Sequence, residues 1–316
     1  MQKQIAWGAS KLLKMYLAKT GFNPFSYCID DFSKESSIYG MPIKKSDSLS
    51  FEKKGSFRIV IFAVSNRSLH EISIKLNYLG LCYGEDFIFY SDFFYNDFLH
   101  KVETSLGFKL NPKIYQFAVS WTLNSRILVH TTILGTWLFL EILNRLNNTK
   151  GHIAEVGAFQ GGNVLCSLHF MTQLNPKKFY LFDSFEGFPD LSKHDPKNFS
   201  KGDYNIETTF QEICDIFLRF PEAITVRGFI PSTFSKISEN EKFSLVFYDC
   251  DLYQPASDTF NFFWDRIVPG GYLLVHDYEA EEGGFAGVKK ATDEFFGPKR
   301  INFFSFFENT MAVIKK

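Results

Sequence analysis

One pattern recurs through the second half of this chain and limits the folds open to it: a short apolar run that ends in a carboxylate. H-I-A-E-V-G-A-F-Q-G-G begins the series at 152–162, F-Y-L-F-D-S-F-E-G-F-P follows at 179–189, and V-F-Y-D-C-D-L-Y and P-G-G-Y-L-L-V-H-D-Y close it at 246–253 and 269–278. Such runs, bounded by glycine and proline, read as strands. The expected strands are 152–156, 179–183, 223–227, 244–249 and 272–276, with helical patterns between them. That alternation predicts a parallel sheet with helices on both faces. Ligands bind beyond the C-terminal ends of such strands. Glu155, Asp183, Asp249 and Asp277 are therefore expected to face one crevice. After a helix at Ala286–Phe295, I-N-F-F-S-F-F (301–307) and T-M-A-V-I-K (310–315) read as an antiparallel hairpin turning at Glu308-Asn309.

The first half repeats the alternation on a smaller scale. Residues 2–7 read as a strand, Gly8-Ala9-Ser10 as a turn, and Lys11–Thr20 as a helix with Leu12, Leu13, Tyr16 and Leu17 on one face. Gly21 ends that helix, and Phe25–Ile29 is a second strand leading to Asp30-Asp31. A glycine turn followed about twenty residues later by acids is the layout of a dinucleotide fingerprint, but one glycine of G-x-G-x-x-G remains. R-I-V-I-F-A-V (58–64), a helix through Leu69, Ile72, Ile74 and Leu76, and E-D-F-I-F-Y (85–90) continue the unit. Residues 91–125 read as a connection plus one helix, with Gly107 and Pro112 as breakers, and Thr131 or Thr132 caps a helix at Ile133–Leu146. The expected organisation is a small Rossmann-like domain over 1–98, a helical connection over 99–150 and a larger α/β domain over 151–316.

Charge and cysteine content narrow the partners. A net charge of −1 lacks the basic face that nucleic acid requires. The five cysteines form no C-x-x-C pair, and an odd, scattered set fits a reducing compartment. Lys11 and Lys14 interrupt any signal-peptide core, and the longest apolar run, Ile133–Leu143, contains Glu141 and is too short to span a bilayer. A cytoplasmic protein with no transmembrane segment is expected.

The motifs E-V-G-x-x-x-G-G, D-S-F-E-G-F-P, R-G-F-I-P-S-T-F (227–234), D-C-D-L-Y and P-G-G-Y-L-L-V-H-D-Y, in this order, resemble the macrocin O-methyltransferase family over roughly residues 120–316. The resemblance implies a class I methyltransferase sheet with a C-terminal antiparallel hairpin. It implies S-adenosylmethionine as cofactor, a divalent metal, and a sugar hydroxyl as acceptor, on a nucleotide-linked sugar or a surface glycan. Family members are often oligomeric, which leaves room for a homo-oligomer. The N-terminal unit is similar to the small Rossmann-like domain of sialic-acid-type and bacillosamine-type acetyltransferases, where it helps hold a nucleotide-linked sugar.

Carried onto this chain, the family pattern implies roles residue by residue. Glu155, Gly157, Gly161 and Gly162 would wrap the methionine half of the cofactor, Asp183 and Ser184 the ribose, and Gly228 and Phe229 the adenine. An acid ahead of the glycines would repel a pyrophosphate but suits a cationic sulfonium and amino group. Asp249, His276 and Asp277 would hold the metal. His276 stands where the family has aspartate; magnesium prefers oxygen ligands, whereas imidazole suits manganese better. Asp249, or His194 in the polar loop 190–205, would take the acceptor proton. Two other classes stay open at this point: a NAD-dependent oxidoreductase using the N-terminal unit, and a non-catalytic nucleotide-sugar-binding protein.

Overall fold

A computed structural model describes residues 2–316 apart from 64, 128, 130, 172–176, 206–209, 279–284, 298–300 and 307–308. The first sheet is built from β1 (Lys3–Trp7), β2 (Phe25–Ile29), β3 (Ser37–Ile38), β4 (Met41–Lys44), β5 (Phe57–Ile61) and β6 (Phe87–Phe89) in the order β3-β4-β2-β1-β5-β6. Only the short β3–β4 pairing is antiparallel. Helix α1 (Lys11–Thr20) follows β1, and α2 (Asn66–Tyr78) follows β5. Ser10 caps α1 by accepting from the Leu13 amide, and Gly21 ends it in the left-handed region at φ 62°. The last position of the expected strand 58–64 lies outside the described residues.

Three helices fill the stretch where the sequence suggests one: α3 (Tyr90–Phe93), α4 (Tyr95–Leu106) and α5 (Pro112–Asn124). The two breakers are helix ends, not loop markers. Gly107 closes α4 at φ 70°, and Pro112 opens α5 with Asn111 as its cap. The apolar face of α4 is spaced as Phe98 and Val102, a pair easily lost among surrounding aromatics. Helix α6 (Ile133–Arg145) is capped by Thr132 and buried over Ile133–Leu143. Its one acid, Glu141, accepts from the Trp137 indole at 3.1 Å and from the Asn111 amide. The longest apolar run is thus the core helix between the two sheets. Among the described residues no helix is long and apolar enough to cross a membrane.

The second sheet comprises β7 (His152–Val156), β8 (Phe179–Asp183), β9 (Ala223–Arg227), β10 (Phe243–Tyr248), β11 (Ile267–His276), β12 (Asn302–Phe306) and β13 (Asn309–Lys315), in the order β12-β13-β11-β10-β7-β8-β9. Five strands run parallel, and β13 returns antiparallel between β11 and β12. Helices α7 (Gly162–Phe170), α8 (Phe210–Phe217), α9 (Tyr253–Phe263) and α10 (Ala286–Phe296) cover it. The expected turn at Glu308 falls outside the described residues. One contiguous apolar core runs from Ile5 in the first sheet through Trp137 to Val313 in the second.

Candidate functional site

The chain reverses direction across the second sheet between β7 and β10, and a cavity of about 460 Å3 opens there. Asp183, Asp249, Asp251, His276 and Asp277 line it. The loops around it are backbone-strained. Phe159, Phe185, Tyr204, Asp251 and Asp277 all have φ between 47° and 65°, the left-handed region that side chains disfavour. Each such residue costs about 1–3 kcal/mol, and this kind of strain gathers at functional sites.

The turn after β7 is built by close approach. Gly157 sits at φ 94°, and a Cβ there would fall onto the Asp249 backbone carbonyl. A bulky residue at 157 would thus push the end of β10. Gly161 is bare for another reason. It opens α7 at φ 74° with no side-chain cap, and a Cβ would strike the Phe217 ring at 2.6 Å. Gly162, the first residue of α7, lines a narrow side recess of about 20 Å3. That recess holds Glu155, whose side chain therefore does not join the acids of the main cavity. Glu155 is 4% exposed, and burial, reinforced by Asp249, pushes its carboxyl well above the usual range. The Asn163 side chain and the Val164 amide approach this carboxyl and ease the rise, yet Glu155 Oε2 and both polar atoms of Asn163 make no well-aligned hydrogen bond among the described residues. Buried groups of this kind imply a ligand or water.

Asp183 ends β8 in the cavity wall and accepts from the Phe159 amide at 2.8 Å and the Phe185 amide at 2.7 Å. These bonds hold the glycine turn against β8. Burial nevertheless raises the Asp183 pKa. Ser184 also lines the cavity, but its hydroxyl is committed to the Gly187 carbonyl at 2.9 Å. Gly228, at φ 130°, and the half-exposed Phe229 face the same space after β9.

The acid cluster stands at the ends of β10 and β11. Asp249, Asp251, His276 and Asp277 can each place one ligand atom within 4.8 Å of the others. His276 Nδ1 is 2.8 Å from Asp249 Oδ1 and 3.1 Å from Asp277 Oδ2. Burial opposes charge on this imidazole, but the two carboxylates override it and hold its pKa well above the ordinary value. Asp251 is hydrogen-bonded to Asp277; burial, then Asp277 and Asp249, raises its pKa well above the usual range, while Asp277 is lowered by His276 despite its burial. The cluster thus spreads its like-charge conflict unevenly, with charge disfavoured on Asp251 and favoured on the His276–Asp277 pair. Three carboxyl groups and one imidazole are also a donor set that fits a divalent cation of the manganese type. Asp251 belongs to this set although the sequence reading assigns only Asp249, His276 and Asp277 to the metal; the second acid of D-C-D was its signal.

His194 lies elsewhere. Its ring packs on Tyr253 at 4.5 Å, and it does not line the cavity. The loop 190–205 instead contributes Tyr204, which the sequence reading passed over. Burial and then Asp251, Asp277 and Asp249 push the Tyr204 phenol up to about 12, so it faces the acids as a hydrogen-bond donor. Phe188 and Phe285 pack with Tyr204 as an aromatic wall over the cavity mouth.

Three similarities place this geometry. The family model described as macrocin-O-methyltransferase matches residues 141–303, a stretch that holds both the glycine turn and the acid cluster. Mycinamicin III 3''-O-methyltransferase of Micromonospora griseorubida is 21% identical over 170 residues, covering 47% of this chain and 67% of that protein. The solved structure of the calicheamicin methyltransferase CalS11 superposes with a TM-score of 0.51 at 16% identity, over 65% of this chain and 91% of the other, so the second sheet and its helices have a methyltransferase fold. Since the family match takes in a little over half of the 316 residues and both halves of the crevice, this chain belongs to the macrocin-O-methyltransferase family and is an O-methyltransferase.

Proposed function

We propose that this enzyme methylates a sugar hydroxyl with S-adenosylmethionine, the acceptor being a nucleotide-linked sugar or a surface glycan. One observation carries the reading: a single cavity joins the glycine turn and Asp183 at one end to the acid cluster at the other. In this reading the Gly157–Gly162 turn and the recess of Glu155 and Asn163 take the methionine part. The Glu155 carboxyl and the Asn163 carboxamide there match an ammonium and a carboxylate. Asp183 keeps lone pairs beyond its two amide bonds for ribose hydroxyls. Gly228 and Phe229 border the adenine. When bound, S-adenosylmethionine supplies the electrophilic methyl group, and the protein supplies alignment and proton removal.

Asp249 is the proposed base. It lines the cavity, and His276 sits beside it as counter-charge. Tyr204 donates toward the acceptor side, and the aromatic wall excludes water. Asp249, Asp251, His276 and Asp277 are the residues that would hold a divalent ion, which would lower the pKa of a chelated hydroxyl. The domain reading attached to this proposal is a small Rossmann-like unit over 1–98, a helical connection over 99–150 and a methyltransferase unit over 151–316. A nucleotide-sugar role for the first unit has weaker support, because its own turn is already satisfied internally.

Thermal-shift measurements test the proposal. S-Adenosylhomocysteine should raise the melting temperature, with NAD and NADP inert. Stabilisation by NAD alone would point to an oxidoreductase, and stabilisation by nucleotide sugars alone to a binding protein. Either result overturns the reading.

A further inference from the structure

The first sheet lies outside the stretch that matches the family, and the turn after its first strand is tightly packed. A Cβ at Gly8 would meet the Phe62 carbonyl at 2.8 Å, so the end of β1 is pressed onto the chain leaving β5. The Ser10 hydroxyl donates to that same carbonyl at 2.7 Å, and the Ala9 amide donates to Asp30 at 2.8 Å. Two donors of the turn are thereby used within the unit.

What the unit does offer is a contact with the rest of the chain. Helix α2 begins at Asn66, a residue 2% exposed. Its Nδ2 donates to the Val129 carbonyl at 3.1 Å and to the Thr131 carbonyl at 2.8 Å. One amide group thereby grips two carbonyls two residues apart. Val129 and Thr131 are buried, and both line the recess that contains Glu155, Gly157 and Asn163. One turn along α2, His70 Nδ1 lies 2.9 Å from the Thr122 carbonyl on α5, a contact that does not reach the recess.

We infer that Asn66 is a positioning residue for cofactor binding: through it the N-terminal unit holds the Val129 and Thr131 backbone against the methionine end of the cofactor site. The inference rests on the cofactor placement proposed above. It gives the N-terminal unit a task without a ligand of its own. Asparagine suits the position because both its N–H groups are used; aspartate has the same shape and no donor.

The test uses the full chain and S-adenosylhomocysteine. Asn66→Asp and Asn66→Ala should raise its Kd, and the KM for S-adenosylmethionine, by about tenfold or more. The kcat at saturating cofactor and the acceptor KM should stay within about twofold, since the reacting groups do not move. Asn66→Ser, which keeps one donor, should fall between; it also serves if Asn66→Asp does not fold. His70→Ala should lower the melting temperature and leave Kd unchanged, separating positioning from general stability. Unchanged Kd in the folded Asn66 variants overturns the inference alone. Wild-type protein that binds no S-adenosylhomocysteine overturns the cofactor reading, and this inference with it.

Discussion

The two sheets are built to one plan and end in opposite states. In each, a glycine follows the first strand and lies against the neighbouring parallel strand's exit: Gly8 against Phe62, Gly157 against Asp249. In each, an acid associated with the second strand accepts a turn amide at 2.8 Å: Asp30 from Ala9, Asp183 from Phe159. The difference lies in what surrounds this frame. In the first sheet the turn is short, Ser10 caps the helix, and its hydroxyl bridges to the neighbouring strand's exit. In the second the turn runs on to Gly161, the helix has no side-chain cap, and the neighbouring exits carry Asp249, Asp251 and His276-Asp277. The same local architecture makes a tightly packed turn in one place and a 460 Å3 cavity in the other. A parallel sheet supplies the position of a site; the length and chemistry of its loops decide whether the site is open.

The largest effect should come from removing what only the second sheet has. Asp249→Asn should cut turnover by about 10²–10⁴-fold, the range for a general base, while S-adenosylhomocysteine affinity stays near wild type. Steady-state kinetics beside calorimetry would check this, and a variant that keeps full kcat would remove Asp249 from the chemistry. The second effect concerns the cation. Excess EDTA should abolish activity, with Mn²⁺ restoring it better than Mg²⁺, and His276→Asp should shift that preference toward Mg²⁺. Full activity of metal-free protein would remove the cation from the reading and leave Asp249 as a general base only.

The matched acids give a sharper and smaller contrast. Asp183→Ala should weaken S-adenosylhomocysteine binding by about 1–3 kcal/mol, from lost bonds to a charged acceptor. Asp30→Ala should lower the melting temperature, because the Ala9, Phe32 and Ser33 amides lose their acceptor, and leave that affinity unchanged. Equal effects of the two on affinity would show that the first sheet is not sealed off from the site.

The smallest effect is one of pH. Glu155 is buried with a raised pKa, so the folded apo-protein holds a proton that the unfolded chain releases. The stability this group contributes is full below the unfolded carboxylate range and is lost as pH rises through its folded pKa. Glu155→Gln does not titrate. Its melting temperature should therefore match wild type near pH 4 and exceed it increasingly toward pH 8. A gap that does not widen with pH would mean that Glu155 is already ionised in the fold.

Strand positions, the C-terminal antiparallel pair and the acids at the ends of β8, β10 and β11 were legible because short apolar runs, glycine turns and acids leave a local signature. Glu155 shows where that signature stops. It precedes Val156, which still pairs with Phe182 and Tyr248, so it sits inside β7 and its side chain enters the side recess rather than the main cavity. The expected strand 152–156 is the observed one; what the apolar run does not show is which face of the strand its penultimate residue takes, and that decides which cavity the acid serves. His194 and Tyr204 occupy the same loop, and no periodicity says which of them turns inward. The left-handed backbone at Tyr204 and the packing of His194 on Tyr253 decide it.

By itself, then, the sequence determined the strands of the second sheet, most of the helices, and which chemical groups stand at the strand ends, since these follow from period, glycine placement and spacing along the chain. The tertiary structure alone decided which of those groups meet. The Asn66 grip on the Val129 and Thr131 carbonyls joins residues 63 and 65 positions apart, and the contact of His276 with Asp249 depends on two strands lying side by side. Such contacts arise from chain crossings, and a crossing leaves no mark in the local pattern of either partner.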